Sequence, residues 1–184
     1  GHVRQDDPMV WEDYEWRGIG IDPGGGGSPT ACVAVGVWLD PQRGRLQYHQ
    51  PEGGELYSSA PLGIEDLIEY LSLCEPFDLV FVDVAGGEQT LVTLQRYFGS
   101  ERIHAAYKDR PFGLGLYAQL LRSQQLSHHV SNSHTIREYS GYRLKFSRDP
   151  NSHERYATST PVDHHGDAIY AARYCMVGLT AAIE

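Results

Sequence analysis

The sequence has few cysteines, and none of them has a metal-binding or redox spacing. Its three cysteines, Cys32, Cys74 and Cys175, are widely separated, and no Cys-X-X-Cys motif is present. An odd number at such spacing argues against a disulfide framework and a zinc site. We therefore expect buried, reduced thiols in a protein of a reducing compartment.

Long hydrophobic runs are also missing. No apolar stretch reaches the length of a membrane span, and the first residues contain no signal-peptide core. These absences predict a protein with no membrane partner. The opening Gly1-His2 resembles the scar that a protease leaves, and the sequence does not begin with Met. We therefore expect a fragment of a longer protein.

Positive charge is scarce. The 15 lysines and arginines are outnumbered by 24 aspartates and glutamates, which gives a formal net charge of -9. That balance argues against non-specific nucleic-acid binding over the whole surface. Residues 102–156 are the exception, with nine Lys or Arg against four acids, a local charge of +5. This segment suits a phosphate-bearing substrate, although an ordinary solvated surface explains the charge equally well.

Two strands that end in aspartate organise the rest of the sequence. Residues 17–22 read Arg-Gly-Ile-Gly-Ile-Asp, and residues 78–83 read Asp-Leu-Val-Phe-Val-Asp. Both patterns predict short buried strands. Because ligands collect at the carboxyl ends of parallel strands in α/β sheets, we expect Asp22 and Asp83 to face one site.

A helix near the C-terminus contributes a third aspartate. The expected helix covers residues 163–182, and its small or apolar residues form a stripe that lets it lie close on a sheet: Ala168, Ala171, Ala172, Cys175 and Leu179. Asp167 is one position off this stripe, in the first turn, and should point toward the strand ends. Asp163 and His164 can share its face.

The predicted elements follow the order β-β-β-α-β-α-β-α with a final helix, which indicates an α/β fold with a mixed sheet of five or more strands flanked by helices. Strands are expected at 17–22, 30–39, 45–50, 78–82 and 102–107, with a strand-like segment at 126–130. Helices are expected at 64–74, 88–98, 112–125 and 163–182, with a helical turn near 136–139. The first three strands should form an antiparallel meander whose third strand lies near an edge. The fourth strand should pair parallel with the first.

The length of 184 residues fits one domain. We expect residues 1–16 to be a tail or linker and residues 17–184 to form that domain. Residues 51–63 read as a loop, and the polar stretch 147–161 reads as either a hairpin or a loop. The Pro-Gly-Gly-Gly-Gly run at 23–27 lacks the Lys-Ser/Thr of a Walker A loop, so it predicts a hairpin turn rather than a nucleotide cradle.

Three carboxylates from three elements have a definite chemical use. They can hold one or two hard divalent cations, Mg²⁺ or Mn²⁺, and two such ions can activate water and stabilise the leaving oxygen of a phosphodiester. Without a cation they repel each other. Three acids near the expected site also fit structural roles when taken singly: Asp22 in a turn, Asp167 at the positive end of a helix, and Asp163 as a helix cap.

The sequence resembles the ribonuclease H-like superfamily and, within it, the C-terminal nuclease domain of the large terminase subunit of tailed bacteriophages. Three pieces carry the resemblance: Gly18-Ile19-Gly20-Ile21-Asp22-Pro23-Gly24 with Pro29-Thr30-Ala31, then Val80-Phe81-Val82-Asp83, then Asp163-His164-His165-Gly166-Asp167-Ala168. It covers residues 17–180. The last piece is the most specific.

The resemblance implies that Asp22, Asp83 and Asp167 are catalytic metal ligands, assisted by His164 and Asp163, and that two ions of Mg²⁺ or Mn²⁺ are bound. It also implies cleavage of duplex viral DNA concatemers during genome packaging in the cytoplasm of an infected bacterium. The implied partners are an N-terminal ATPase domain, the portal and the small terminase subunit. The candidate DNA contacts are Lys108, Arg110, Arg143, Lys145 and Arg148.

Other functions remain open at this point. A Holliday-junction resolvase of the RuvC kind or a transposase-like nuclease would share the site and differ in substrate. An actin-like ATPase lobe also begins with three strands and an aspartate in a glycine turn, but it needs a second lobe. A non-catalytic DNA-binding or assembly module would keep the acids for structure alone.

Overall fold

The structure is a computed structural model that describes residues 2–24, 27–85, 88–108, 110–141, 144–148, 150–153, 155–161 and 167–184. Its strands are β1 Val3–Arg4, β2 Trp16–Asp22, β3 Thr30–Asp40, β4 Arg45–Gln50, β5 Glu55–Ser58, β6 Leu79–Val82, β7 Ile103–Ala105, β8 Leu126–His129, β9 Leu144–Arg148 and β10 Arg155–Pro161. Its α-helices are α1 Ile64–Leu73, α2 Gln89–Phe98, α3 Arg110–Arg122, α4 Ser133–Gly141 and α5 Asp167–Ile183.

A mixed sheet in the order β1-β8-β4-β3-β2-β6-β7 forms the centre of the fold, and β5 adds to it beside β3. The antiparallel β2-β3-β4 meander and the parallel pairing of β2 with β6 are both confirmed. The glycine run joins two antiparallel neighbours, as a hairpin turn does, and Gly24 and Gly27 have φ values of 69° and 90°. Within the described residues, no helix is long and apolar enough to cross a membrane.

Several local predictions were wrong. Residues 45–50 were expected near an edge, but β4 lies inside the sheet between β3 and β8. The reason is that its polar residues are satisfied internally: His49 bonds to Asp7 and Ser127, and Gln50 bonds to His128. The expected loop at 51–63 contains β5, and the expected turn near 136–139 is the longer helix α4.

The polar stretch near 147–161 also contains regular structure. Strands β9 and β10 pair antiparallel, which supports a hairpin over a plain loop.

The N-terminal segment packs on the sheet although its composition indicates a tail or linker. Strand β1 pairs parallel with β8, and Tyr14 is only 2% exposed. A Cβ atom at Gly36 would stand 2.4 Å from the Tyr14 ring, so this glycine makes room for the tyrosine. The domain boundary at residue 17 stays a prediction.

The two faces of β2 pack against different layers because strand side chains alternate. Ile19 and Ile21 point into a core with α1 and α2, whereas Gly18 and Gly20 face α5. A Cβ atom at Gly20 would lie 1.8 Å from the carbonyl oxygen of Ala171. Helix α5 therefore rests directly on the β2 backbone, and the small-residue stripe predicted on α5 is buried.

Substituting Gly20→Ala should destabilise the protein by about 1–3 kcal/mol, because the new methyl group meets helix backbone that cannot rotate away. The matched control is Gly115→Ala on α3, where a Cβ atom meets nothing within 4 Å. That change should be neutral or stabilising by up to about 1 kcal/mol. Urea unfolding of both variants measures the difference, and equal stabilities would contradict the close helix–strand contact.

Candidate metal centre

Strand alternation places Asp22 and Asp83 side by side. Asp22 continues the face of Gly20, and the register pairs Ile21 with Val82. The Asp83 backbone N–H then donates to the Ile21 carbonyl at 2.9 Å. Both carboxylates therefore emerge at the carboxyl ends of β2 and β6 on the side that α5 covers.

Helix α5 brings the third aspartate to the same place. It crosses β2 with Leu179 against Gly18 and Ala171 against Gly20, so its N-terminus lies at the Asp22 end of the strand. Asp167 is its first residue. The three aspartates line one pocket of about 390 Å³, together with Lys108, Tyr170, Arg173 and Tyr174.

Asp83 is held by three partners. Its Oδ1 atom pairs with the Lys108 ammonium and accepts the Ala85 N–H at 2.9 Å, and the Tyr174 hydroxyl donates to its Oδ2 atom at 3.1 Å. The carboxylate side chain is 12% exposed, and Lys108 is 42% exposed. Burial and the adjacent Asp83 raise the pKa of the Tyr174 phenol, so it remains a donor. A cation thus already contacts this carboxylate.

The surroundings of Asp22 disfavour its ionisation. Burial raises its pKa to about 6, and the charges of Asp167 and Asp83 add to that rise. The Gly24 N–H, which donates to Oδ1 at 3.2 Å, opposes the shift. Burial together with two neighbouring carboxylates therefore disfavours the charged form of Asp22.

The donor set fits a hard divalent cation. Carboxylate oxygens are the ligands that Mg²⁺ and Mn²⁺ prefer. A cation would also offset the repulsion from Asp167 and Asp83, which adds to the effect of burial on the Asp22 pKa. In the described part of the chain, no group of three or more His, Cys, Asp and Glu side chains is arranged so that it could hold a metal ion. Lys108 is paired with Asp83, so a cation bound at that carboxylate would have to displace the ammonium.

Arg173 also lines the pocket, although no sequence pattern singles it out. Arg173 is 5% exposed, and its guanidinium lies 4.9 Å from the centre of the Tyr170 ring. Its Nη1 atom is buried and has no hydrogen-bond partner among the residues that the structure describes. Tyr170 and Tyr174 follow Asp167 by three and seven residues, a helical spacing that could have revealed them.

Glu138 is a second residue that sequence reasoning missed. Its Oε2 atom accepts the backbone N–H groups of Ala168 at 2.8 Å and Ile169 at 3.1 Å. Burial raises the pKa of Glu138 to about 7 against the lowering effect of these two bonds, and Asp167 adds to the rise. No sequence signal links α4 to α5, because the contact depends on how the two helices pack.

The remaining predicted site residues are not placed. Asp163, His164 and Arg143 lie outside the described residues. Arg110 begins α3, and Lys145 and Arg148 lie on β9, but their side chains are not described. Of the expected DNA contacts, Lys108 alone is placed in the pocket.

Solved structures share this fold. The large terminase of the thermophilic bacteriophage D6E matches with a TM-score of 0.67 and 21% identity over 94% of this chain and 40% of that chain. The large terminase nuclease domain of bacteriophage SPP1, solved with bound Mn, matches with a TM-score of 0.67 and 15% identity over 96% of each chain. The nuclease of thermophilic phage G20c, solved with bound magnesium, matches with a TM-score of 0.56 and 14% identity over 95% of this chain and 84% of that chain.

These matches confirm the predicted fold class, the ribonuclease H-like fold of phage terminase nuclease domains. The chain spans about two fifths of the length of the D6E protein. No protein-family model matches the sequence, and neither does any curated protein.

Asp22→Asn should stabilise the metal-free protein at pH 8 by roughly 1–2 kcal/mol. The folded state raises the pKa of this carboxyl to about 6. The stability that the protonated carboxyl contributes is therefore fully present below about pH 4 and is lost as pH rises through about 6. Asparagine does not ionise, so the variant should keep its stability over this range, and urea unfolding in EDTA from pH 4 to pH 8 measures the difference from wild type.

The matched control is Asp78→Asn at the opposite end of β2, where the carboxylate pairs with Arg17. That variant should lose stability at pH 8, since it breaks an ion pair. If Asp22→Asn also lost stability at pH 8, burial and the neighbouring carboxylates would not disfavour the charged form of Asp22 in the way that its raised pKa indicates.

Proposed function

We propose that this chain is a nuclease that hydrolyses DNA phosphodiesters with divalent metal ions. The observation that supports it is the convergence of Asp22, Asp83 and Asp167 from β2, β6 and α5 on one pocket that also contains Lys108. Three carboxylates beside a lysine suit an anionic substrate such as a phosphodiester. The carboxylates would bind it through metal ions, and the lysine would contact it directly. The fold shared with the SPP1 and G20c nucleases, solved with bound Mn and magnesium, supports the same chemistry.

The metal ligands in this proposal are Asp22, Asp83 and Asp167, and the metal is Mg²⁺ or Mn²⁺. When bound, two such ions supply a hydroxide nucleophile and stabilise the leaving oxygen. Asp22 and Asp83 are held by strand ends and Asp167 by the first turn of α5, so the donors are fixed before substrate arrives. Tyr174 orients Asp83 through its hydroxyl.

Lys108 and Arg173 supply positive charge to the phosphate side of the pocket. Lys108 is the more accessible of the two, and a cation bound at Asp83 would repel its ammonium from that carboxylate. A DNA phosphate then offers the ammonium a new partner. Arg173 contributes its charge from a buried position beside Tyr170.

The substrate we propose is duplex DNA, and the biological setting is the cutting of viral concatemers during genome packaging. The D6E match supports this setting, because this chain corresponds to about two fifths of a large terminase. The proposed partners are therefore an ATPase domain, the portal and the small terminase subunit, and the proposed location is the cytoplasm of an infected bacterium. Arg110, Arg143, Lys145 and Arg148 remain the proposed DNA contacts outside the pocket.

Wild-type protein should nick and linearise plasmid DNA in millimolar Mn²⁺ at low salt. Asp22→Asn, Asp83→Asn and Asp167→Asn should each lower the rate at least about 100-fold, because each removes a charged metal ligand. The matched control is Asp13→Asn, the same chemical change at an exposed position away from the site. Rates from gel electrophoresis test the proposal.

Wild-type protein that leaves plasmid intact would overturn the nuclease proposal, as would three aspartate variants that cut at the wild-type rate. Cleavage rates on linear duplex DNA and on four-way junctions show which substrate the protein prefers. Strong preference for junctions would indicate a resolvase instead of a packaging nuclease.

Lys108→Met should bind Mn²⁺ more tightly and cut DNA more slowly. The ammonium no longer competes with the metal ion for Asp83, so the Mn²⁺ dissociation constant should fall about 3- to 10-fold. The DNA phosphate also loses a positively charged partner, so cleavage should slow at least about 10-fold. Isothermal titration and plasmid cleavage measure the two effects. Lys108→Arg keeps the charge and serves as the control; weaker Mn²⁺ binding in Lys108→Met would contradict the competition.

A further inference from the structure

The first turn of α5 is held by a carboxylate from another helix. The two N–H groups that Glu138 accepts belong to Ala168 and Ile169, the residues that follow Asp167 directly. First-turn N–H groups have no partner within their own helix, so an acceptor from outside fixes where the helix begins. When Glu138 is ionised, its negative charge also lies at the positive end of the α5 dipole.

Helix α4, which carries Glu138, is itself fixed by a second carboxylate. Glu55 on β5 accepts the backbone N–H groups of His134 at 2.9 Å and Thr135 at 2.8 Å, and the Thr135 hydroxyl at 2.7 Å. Thr135 is fully buried and its hydroxyl also accepts a bond from Gln50 at 3.0 Å. The sheet therefore sets the position of α4 through Glu55, and α4 sets the start of α5 through Glu138.

We infer that Glu138 is a positioning residue for the metal site: it holds the first turn of α5 so that Asp167 stands opposite Asp22 and Asp83. This inference rests on the proposed function, because it assigns Asp167 a metal. The backbones of Asp22 and Asp83 are held by sheet hydrogen bonds, whereas Asp167 lies in the first turn of a helix, where Glu138 accepts the next two N–H groups. Glu138 places no atom on the substrate and acts only through the α5 backbone.

The experiment compares Glu138→Ala and Glu138→Gln with wild type in Mn²⁺ titration, in amide exchange and in cleavage. Glu138→Ala should raise the Mn²⁺ dissociation constant about 10-fold, the effect typical of a lost residue behind a metal ligand. Glu138→Gln keeps a carbonyl acceptor and should raise it less, about 3-fold. Amide exchange at Ala168 and Ile169 should accelerate, and excess Mn²⁺ should restore much of the lost cleavage rate.

Asp78→Asn separates positioning from general destabilisation. Asp78 also accepts a backbone N–H, from Arg17 at 2.7 Å, but it lies at the far end of β2. Its loss should lower stability and leave the Mn²⁺ dissociation constant within 2-fold of wild type. If Glu138→Ala does not fold, Glu138→Gln decides the question by the same measurements.

Glu138 variants that bind Mn²⁺ like wild type, or that bind no worse than Asp78→Asn, would overturn this inference and leave the nuclease proposal intact. Wild-type protein that binds no Mn²⁺ at all would overturn both. The wild-type titration therefore distinguishes the two failures before any variant is compared.

Discussion

The direct contact between α5 and the backbone of β2 is the constraint on which the site depends. Gly18 and Gly20 leave no side chain on the face that α5 covers, so the helix settles at a distance that a single Cβ atom would prevent. Because of this close contact, the first turn of α5 lies beside the end of β2. Side chains alternate along β2, so Ile19 and Ile21 are buried in the opposite core and Asp22 faces the helix. The same strand therefore determines both the helix packing and the position of Asp22.

The electrostatics of the pocket follow from that packing. Burial under the helix raises the pKa of Asp22, and the charges of Asp167 and Asp83 add to that rise. Without a metal ion, this burial and repulsion destabilise the folded protein when Asp22 is ionised. Lys108 offsets part of it by pairing with Asp83, and Arg173 adds a buried positive charge nearby. Such an arrangement stabilises the folded chain less than neutral residues would. It is the kind of local cost that proteins retain at functional sites.

Local sequence patterns predicted the strands and the helix on which the three aspartates lie. Features that depend on long-range packing could not be predicted in this way. Strand alternation and a stripe of small residues depend only on neighbouring residues, which is why Asp22, Asp83 and Asp167 could be selected from the sequence. Glu138 could not, because its partners on α5 are 30 and 31 residues away. Strand β4 was misplaced for a similar reason, since the partners that satisfy His49 and Gln50 lie on β8 and in the N-terminal segment.

The central claim is that the three aspartates form one divalent-cation site, and anomalous diffraction from crystals grown with Mn²⁺ tests it most directly. Manganese gives an anomalous signal that identifies the ion independently of water or Na⁺. The account predicts a manganese peak bound by carboxylate oxygens of Asp22, Asp83 and Asp167, with Lys108 displaced from Asp83. No peak in the pocket at saturating Mn²⁺, or a peak bound only by other side chains, would contradict it.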